Sequence, residues 1–434
     1  MSMASLPLPV TQSLPGQSEL AKAPVWLSSM LLAALVIVPT YDFRPNAEAN
    51  FGLDAQLFLR LGICMACGLY GLNYWRASYH FLFSFPGAWA LVFCLWATLT
   101  IPAAESHVYS AAACFVLWCV VLFVPTVLVQ LGKRRVLLTL FSSLAMFLAL
   151  ACTLYFLVPS IGRSAYLVDG GIQYRVGGDA QQLGLQAVWL IVVSLVMGVR
   201  GELRPQLAAA TIGVALVTIG LAQSRTSLVA AVAVIAFAFL IKAPRQHVLA
   251  GSLLAVAIGS AALWSYACGV FTLHGTEIVS SMSRTGTREE IFSLTGRTDF
   301  WPYVLRQIGE SPLWGHGYGC SRQALYGFNG ESWSYGELHH AHNAFLNIAL
   351  TTGIVGAVIL FAVLLSLFDG LLRRRELFPS IVLVAVAVCG LTESVLFGPM
   401  PRSHTVLLLL AVYWHQSELT NPSTPGKRSI QVTG

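Results

Sequence analysis

The sequence predicts an all-α protein of the polytopic membrane class, and three observations carry that prediction. Hydrophobic residues make up 56% of the 434 positions and charged residues only 10%, against roughly 25% charged in a soluble domain. A chain this apolar has too little polar surface to meet water on every side, so lipid must be its solvent. Apolar runs of bilayer-crossing length, roughly 17–25 residues, recur along it. Between those runs the Lys/Arg clusters fall in a regular alternation, which is the signature of membrane topology.

Taken in order, the apolar runs lie at about 24–41, 54–74, 85–103, 109–131, 136–159, 183–199, 206–224, 226–242, 248–270, 346–369, 379–398 and 403–417, which gives twelve predicted spans. The second contains Arg60, and the eleventh contains Glu393 near its outward end. Only Ser224-Arg225 separates the seventh from the eighth. Lys133, Arg134 and Arg135 follow span four, and Arg200 and Arg204 follow span six. Lys242 and Arg245 follow span eight, Arg373, Arg374 and Arg375 follow span ten, and Lys427 and Arg428 follow span twelve. Every cluster comes after an even span, so both termini are expected in the cytoplasm and the odd exits outside.

The layout is then a tail at 1–23, spans one to nine over 24–270, a long outward loop at 271–345, spans ten to twelve over 346–417, and a tail at 418–434. The N-terminal tail is not read as a cleavable signal, because no clear small-residue cleavage site follows it. The net charge of +6 sits in the short clusters, with no basic face carrying interleaved aromatics, so nucleic acid is not expected as a partner. Cys64 and Cys67 form a C-x-x-C within an apolar run and have no second pair. They read as small buried hydrophobes rather than as a metal site, which needs four ligands.

The chemistry gathers in the long outward loop and its exit. Asp299–Ile308 reads as a short amphipathic helix suited to the membrane interface, with Pro302 in its first turn. His339, His340 and His342 stand at the mouth of span ten; on a helix, His339 and His342 would share a face. A neutral imidazole is the usual general base near neutral pH. A zinc pair is the competing reading, with Glu337 and His316 as the only nearby further ligands. Gly315-His-Gly-Tyr-Gly reads as a flexible turn that lets backbone approach a ligand. It is not a P-loop, since no Gly-Lys-Ser/Thr follows. Gly353 and Gly356 read as small helix-packing contacts. Arginine near a bilayer persists where it meets an anion or snorkels to the headgroups. Arg225, Arg297 and Arg175, all on the outward side, suit a diphosphate, because a guanidinium engages two oxygens at once. Glu393 is a membrane-embedded carboxylate, a functional candidate able to pair with one of them.

Leu294-Thr-Gly-Arg-Thr-Asp-Phe-Trp, Pro312-Leu-Trp-Gly-His-Gly-Tyr-Gly, His339-His-Ala-His-Asn-Ala-Phe-Leu and Thr352-Gly-Ile-Val-Gly together resemble the core of the O-antigen ligase/polymerase superfamily. Ser224-Arg225-Thr226 resembles that family's Ser-Arg element before a small-residue span. The resemblance implies a glycosyltransferase of the bacterial inner membrane, with its active site on the periplasmic side and sugars on undecaprenyl diphosphate as donor. It implies His342 as leading base with His339 or His340 assisting, and Arg225 and Arg297 on the lipid diphosphate. Arg175, in a Tyr-Arg-Val-Gly-Gly run, is a looser match. Asn343, Gly317, Tyr318 and Glu393 are expected in support.

Transfer needs a base for the acceptor hydroxyl, while fixed arginines neutralise the departing diphosphate. No cofactor or metal is therefore expected, and a single displacement inverts the anomeric configuration. The motif wording looks closer to exopolysaccharide polymerases, which join a lipid-linked repeat unit to a growing chain, than to ligases, which move the finished chain onto lipid A-core. The family setting implies membrane lipid around the chain and a flippase and a chain-length regulator beside it. A secondary transporter also has many spans with intramembrane Arg and Glu, but such folds show a repeat between halves, and here the long polar loop lies only in the second half.

Overall fold

The computed structural model describes residues 23–39, 55–168, 171–176, 180–241, 297–328, 339–394, 396–398, 400 and 402–420. The predicted ninth span, most of both predicted tails and much of the 271–345 loop lie outside the described residues. Fourteen helices are described: α1 Val25–Ile37, α2 Ala55–Asn73, α3 Trp75–Phe83, α4 Ala88–Leu99, α5 His107–Leu157, α6 Pro159–Gly162, α7 Ala180–Val199, α8 Pro205–Ala222, α9 Arg225–Leu240, α10 Arg297–Glu310, α11 Ser321–Leu325, α12 Ala344–Arg374, α13 Leu377–Thr392 and α14 Ser403–Thr420. Each predicted span within the described residues coincides with one of them, except that spans four and five both fall in α5. There Gly132 adopts φ +66° and ψ 164°, ending one helix and starting the next just before Lys133. Four helices, α5, α7, α8 and α12, are long and apolar enough to cross a membrane, and α2 with α3 makes a fifth crossing if that pair, bent by 92°, is one span. The chain is an integral membrane protein.

Three features differ from the sequence reading. The loop at 160–182 contains a hairpin, β1 Arg163–Val168 against β2 Gly171–Val176, antiparallel with Ser164 opposite Arg175. Its β-branched and aromatic residues, Tyr166, Val168, Ile172, Tyr174 and Val176, favour strand pairing, a signal that short length hid. Span eleven is shorter than predicted: α13 stops at Thr392, leaving Glu393 in extended conformation (φ −142°, ψ 145°) just beyond the helix. Between Ala222 and Arg225, Gln223 takes the left-handed conformation (φ 51°) that closes α8, and the Ser224 hydroxyl accepts from the Ser227 N–H to open α9. A two-residue connection suffices because each residue caps one helix.

Burial orders the bundle. All residues from Ser403 to Gln416 of α14 are buried, as are 182–193 of α7, so these two helices form the centre. The polar groups of helices buried on every side need partners. Gln186 donates to the Ser403 hydroxyl at 3.0 Å, Gln416 donates to the His80 carbonyl at 3.1 Å, and Gln416 Oε1 accepts from the Gly87 N–H at 3.2 Å. On the outside, Val217, Val229, Val358 and Phe361 are exposed, as side chains facing lipid should be.

The basic clusters collect at one end. Lys133 and Arg200 lie over the Trp414 ring, Lys133 pairs with Glu418, Arg374 donates to the Glu418 carbonyl, and Arg375 donates to the Ile241 carbonyl. Among the described residues these basic groups follow predicted spans four, six and ten.

Candidate functional site

At the opposite end, five helix termini converge. The Thr226 hydroxyl at the start of α9 meets the Thr392 hydroxyl at the end of α13, 3.0 Å apart. One residue on, Glu393 receives the Arg297 guanidinium at 2.7 Å from the start of α10. Gln181 at the start of α7 also hydrogen-bonds Glu393. Glu393 Oε2 lies 3.6 Å from His342 Nδ1, just before α12. The side chains of Glu393, Arg297 and His342 are 3%, 14% and 16% exposed. A carboxylate this buried is tolerated only with cationic or donor partners.

The histidine segment is not helical, so His339 and His342 do not share a helix face as the sequence spacing implied. Asn343 caps α12 instead, its side-chain oxygen accepting from the Phe345 and Leu346 N–H groups at 3.0 Å each. Its amide donates to the Leu391 carbonyl at 3.0 Å. Ala341 is held from both sides: its N–H donates to Asn347 Oδ1 at 3.2 Å, and its carbonyl accepts from the Trp301 indole at 3.0 Å. Between these anchors His342 takes φ +46°, a left-handed conformation that side chains other than glycine rarely adopt. Such strain persists where the surroundings over-determine it and marks candidate functional positions. Replacing Asn343 with alanine is expected to cost about 1 kcal/mol of stability as a lost cap, measurable by thermal unfolding in detergent.

The local electrostatics keep the imidazoles neutral. Burial first, then the charges of Arg297 and His339, push His342 well below its usual 6.5. His340 is pushed the same way, first by burial, with His342 and Arg402 adding to it. The two rings lie 4.1 Å apart, and His340 Nδ1 accepts from the His342 N–H at 3.4 Å. His339 is exposed, and its carbonyl accepts from the Ser321 hydroxyl at 2.9 Å.

The remaining sequence candidates separate. Arg225 opens α9 at this same end. Arg175 lies on β2, which packs against α5, α7 and α8. Tyr318 and Gly317 stand in the packing rather than at the histidines: Tyr318 is buried and donates to the Gly398 carbonyl at 3.0 Å. A Cβ on Gly317 would meet Ala104 Cβ at 2.2 Å. The glycine turn therefore serves close approach to the protein's own backbone, not the ligand approach expected of it. Gly353 (φ +70°) breaks α12, leaving the Leu350 carbonyl and the Ile354 N–H without their helical partners. The turn supplies both: the His316 N–H donates to the Leu350 carbonyl at 2.9 Å, and the Ile354 N–H donates to the Pro312 carbonyl at 2.8 Å. The Trp96 indole donates to the Thr352 carbonyl at 2.8 Å and stacks on Trp314 at 5.0 Å. Pro302 is the sixth residue of α10 rather than in its first turn, and α10 buries Phe300, Val304 and Ile308 against α11 and α12 instead of resting on lipid alone.

Gln181 and Arg402 were not legible as site residues. Gln181 looked like the polar edge of a span, and Arg402 like a loop residue. Only the fold brings them to Glu393 and His340.

Residues 210–361 match the family model described as O-Antigen ligase. A protein of Pseudomonas aeruginosa described as O-antigen ligase is 32% identical over 129 residues. That stretch covers 28% of this chain and 31% of the relative, so the match spans about a third of the relative's length. Arg225, Arg297 and His342 all lie within the segment that is similar to the O-antigen ligase family model.

Proposed function

We propose that the chain is a membrane glycosyltransferase that moves a glycan from a polyprenyl diphosphate onto a saccharide acceptor. The observation that carries this reading is the buried Arg297–Glu393–His342 arrangement at the end of the bundle away from the basic clusters. In this reading the site faces the periplasm from the bacterial inner membrane, with both termini in the cytoplasm, which the alternation of basic clusters along the sequence supports. With Nδ1 of His342 toward Glu393, Nε2 is the nitrogen that takes the proton. The acceptor oxygen attacks the anomeric carbon, its proton passes to His342, and the carbon–oxygen bond to the diphosphate breaks with the electron pair leaving on phosphate. The imidazolium that forms is stabilised by Glu393 and by the departing anion. Arg297 and Arg225 hold that anion, with Arg175 as a third candidate. No metal has a role in this scheme, and the product is inverted.

Both comparisons carry the description O-antigen ligase, which favours lipid A-core as acceptor. The likeness of the sequence motifs to exopolysaccharide polymerases supports the second reading, a growing polysaccharide chain, with a flippase and a chain-length regulator as further partners. Cells lacking the protein, complemented with wild type or with His342→Gln, separate these. Full-length chains retained on the carrier mean ligation, and single repeat units retained there mean polymerisation. Unchanged polysaccharide in both strains overturns the enzyme reading.

The reading also fixes a pH dependence. Because burial and Arg297 hold His342 low, it keeps its lone pair as pH falls past 6.5 and loses it only below its own lowered pKa. The kcat/KM for transfer is expected to stay level down to about pH 6, since this parameter reports the free enzyme. A drop centred near 6.5 would assign the base to an unshifted group.

A further inference from the structure

The turn that follows α10 lies outside every predicted span, yet its tip is apolar and open. Leu313 is 60% and Trp314 45% exposed, and Pro312 beside them is exposed as well. A single exposed leucine needs no explanation, whereas a contiguous apolar patch marks a surface that something covers. The contacts of this tip show which surface it belongs to.

The Ile354 N–H donates to the Pro312 carbonyl at 2.8 Å, which lays the tip on α12. Ile354, Val358, Phe361 and Leu365 are all exposed, and their spacing of four, three and four puts them in one stripe along that helix. On the other side the Trp314 ring stacks on Trp96 at 5.0 Å, with 14° between the ring planes. Trp96 belongs to α4, which packs against α12 and exposes Leu95 and Leu99 on either side of it. The Trp96 indole donates to the Thr352 carbonyl at 2.8 Å and so ties the stack to the break in α12. The tip is therefore continuous with the outer faces of two apolar helices, and those faces meet hydrocarbon.

Charge begins one helical turn back along α10. Arg306 and Glu310 stand exposed there, 3.9 Å apart. An apolar tip, a pair of stacked indoles and then exposed ions is the order of groups met on leaving a bilayer through its interface. Tryptophan favours that boundary because its ring is apolar and its N–H polar.

We propose that the Pro312–Trp314 tip is seated in the bilayer leaflet opposite the basic clusters and serves α10 as a lipid anchor. From that anchor α10 runs back to its first residue, Arg297, which pairs with Glu393 at 2.7 Å. The anchor thereby sets the level of the Arg297 end against the lipid surface. This rests on the membrane class of the chain and not on the glycosyltransferase reading, so either can fail alone.

The test places a spin label at Leu313→Cys in the full chain, held in nanodiscs of phosphatidylethanolamine and phosphatidylglycerol. Collision rates with oxygen, which enters hydrocarbon, and with a water-soluble nickel chelate are compared. Val358→Cys on the α12 stripe gives the lipid reference and Arg306→Cys the water reference. Labelled wild type supplies the background from native cysteines, seven of which are buried among the eight described. The oxygen-to-nickel ratio at Leu313→Cys is expected to approach that at Val358→Cys and to exceed that at Arg306→Cys about tenfold, since a polar solute is excluded from hydrocarbon. A ratio equal to that at Arg306→Cys puts the tip in water and overturns the anchor. Low collision rates with both reagents mean that protein covers the tip, a second copy of the chain included, and overturn it equally.

Discussion

Replacing His342 with alanine is expected to lower transfer about 100- to 10,000-fold, the range a positioned general base contributes. Three features set that expectation. The ring is neutral because burial and Arg297 disfavour its charged form. Its Nδ1 faces a carboxylate at 3.6 Å that would stabilise the imidazolium as it forms. Its backbone is held in a left-handed conformation at φ +46°, which costs about 1–2 kcal/mol in any residue with a Cβ. The last feature separates chemistry from folding. His342→Gly relieves the strain and is expected to unfold at a temperature at least as high as His342→Ala, yet to be as inactive. A glycine variant that regains transfer would move the base elsewhere, with His340 next in line.

Gly353→Ala should be the most damaging single substitution for the architecture around the site. An added Cβ would lie 2.0 Å from the Leu313 carbonyl oxygen and 2.3 Å from its carbon. Both are backbone atoms with nowhere to move, and the φ of +70° is strained for alanine as well. Forcing the turn away breaks the His316–Leu350 and Ile354–Pro312 bonds. Two net hydrogen bonds plus the conformational cost come to about 2–5 kcal/mol. Thermal unfolding in detergent measures the loss, and Gly201→Ala is the control. Gly201 has φ +71° but nothing within 4 Å, so only the conformational part should appear. Equal losses in the two variants would mean that the turn does not hold the helix break.

The membrane class, the placing of most helices and the collection of basic residues at one end could be read from the sequence, because hydropathy and Lys/Arg position act locally along the chain. Arg225, interrupting an apolar run, and a helix entry near His342 were also legible. That Glu393 could pair with one of the outward arginines was legible too, but not that Arg297 is the partner. Glu393 looked like an embedded carboxylate, and only the early end of α13 at Thr392 turns it outward to meet three other elements. The glycine turn misled for a related reason. Glycine marks close approach, and a single sequence cannot say whether a ligand or another backbone approaches. The Gly315 and Gly353 contacts show that here it is backbone.

The central position of α14 has a consequence for how the protein is made. Gln186 on α7 finds its hydroxyl partner on Ser403, 217 residues later in the chain. At about 5–20 residues per second, the ribosome needs roughly 10–40 s to cover that interval. For that time the Gln186 amide has the Val36 carbonyl at 3.3 Å but not its Ser403 partner, and the innermost face of α7 is open. The bundle cannot close around its axis until the last described helix threads into the middle. Assembly is therefore ordered from the outside in, and an insertase or neighbouring lipid must shelter α7 during the wait.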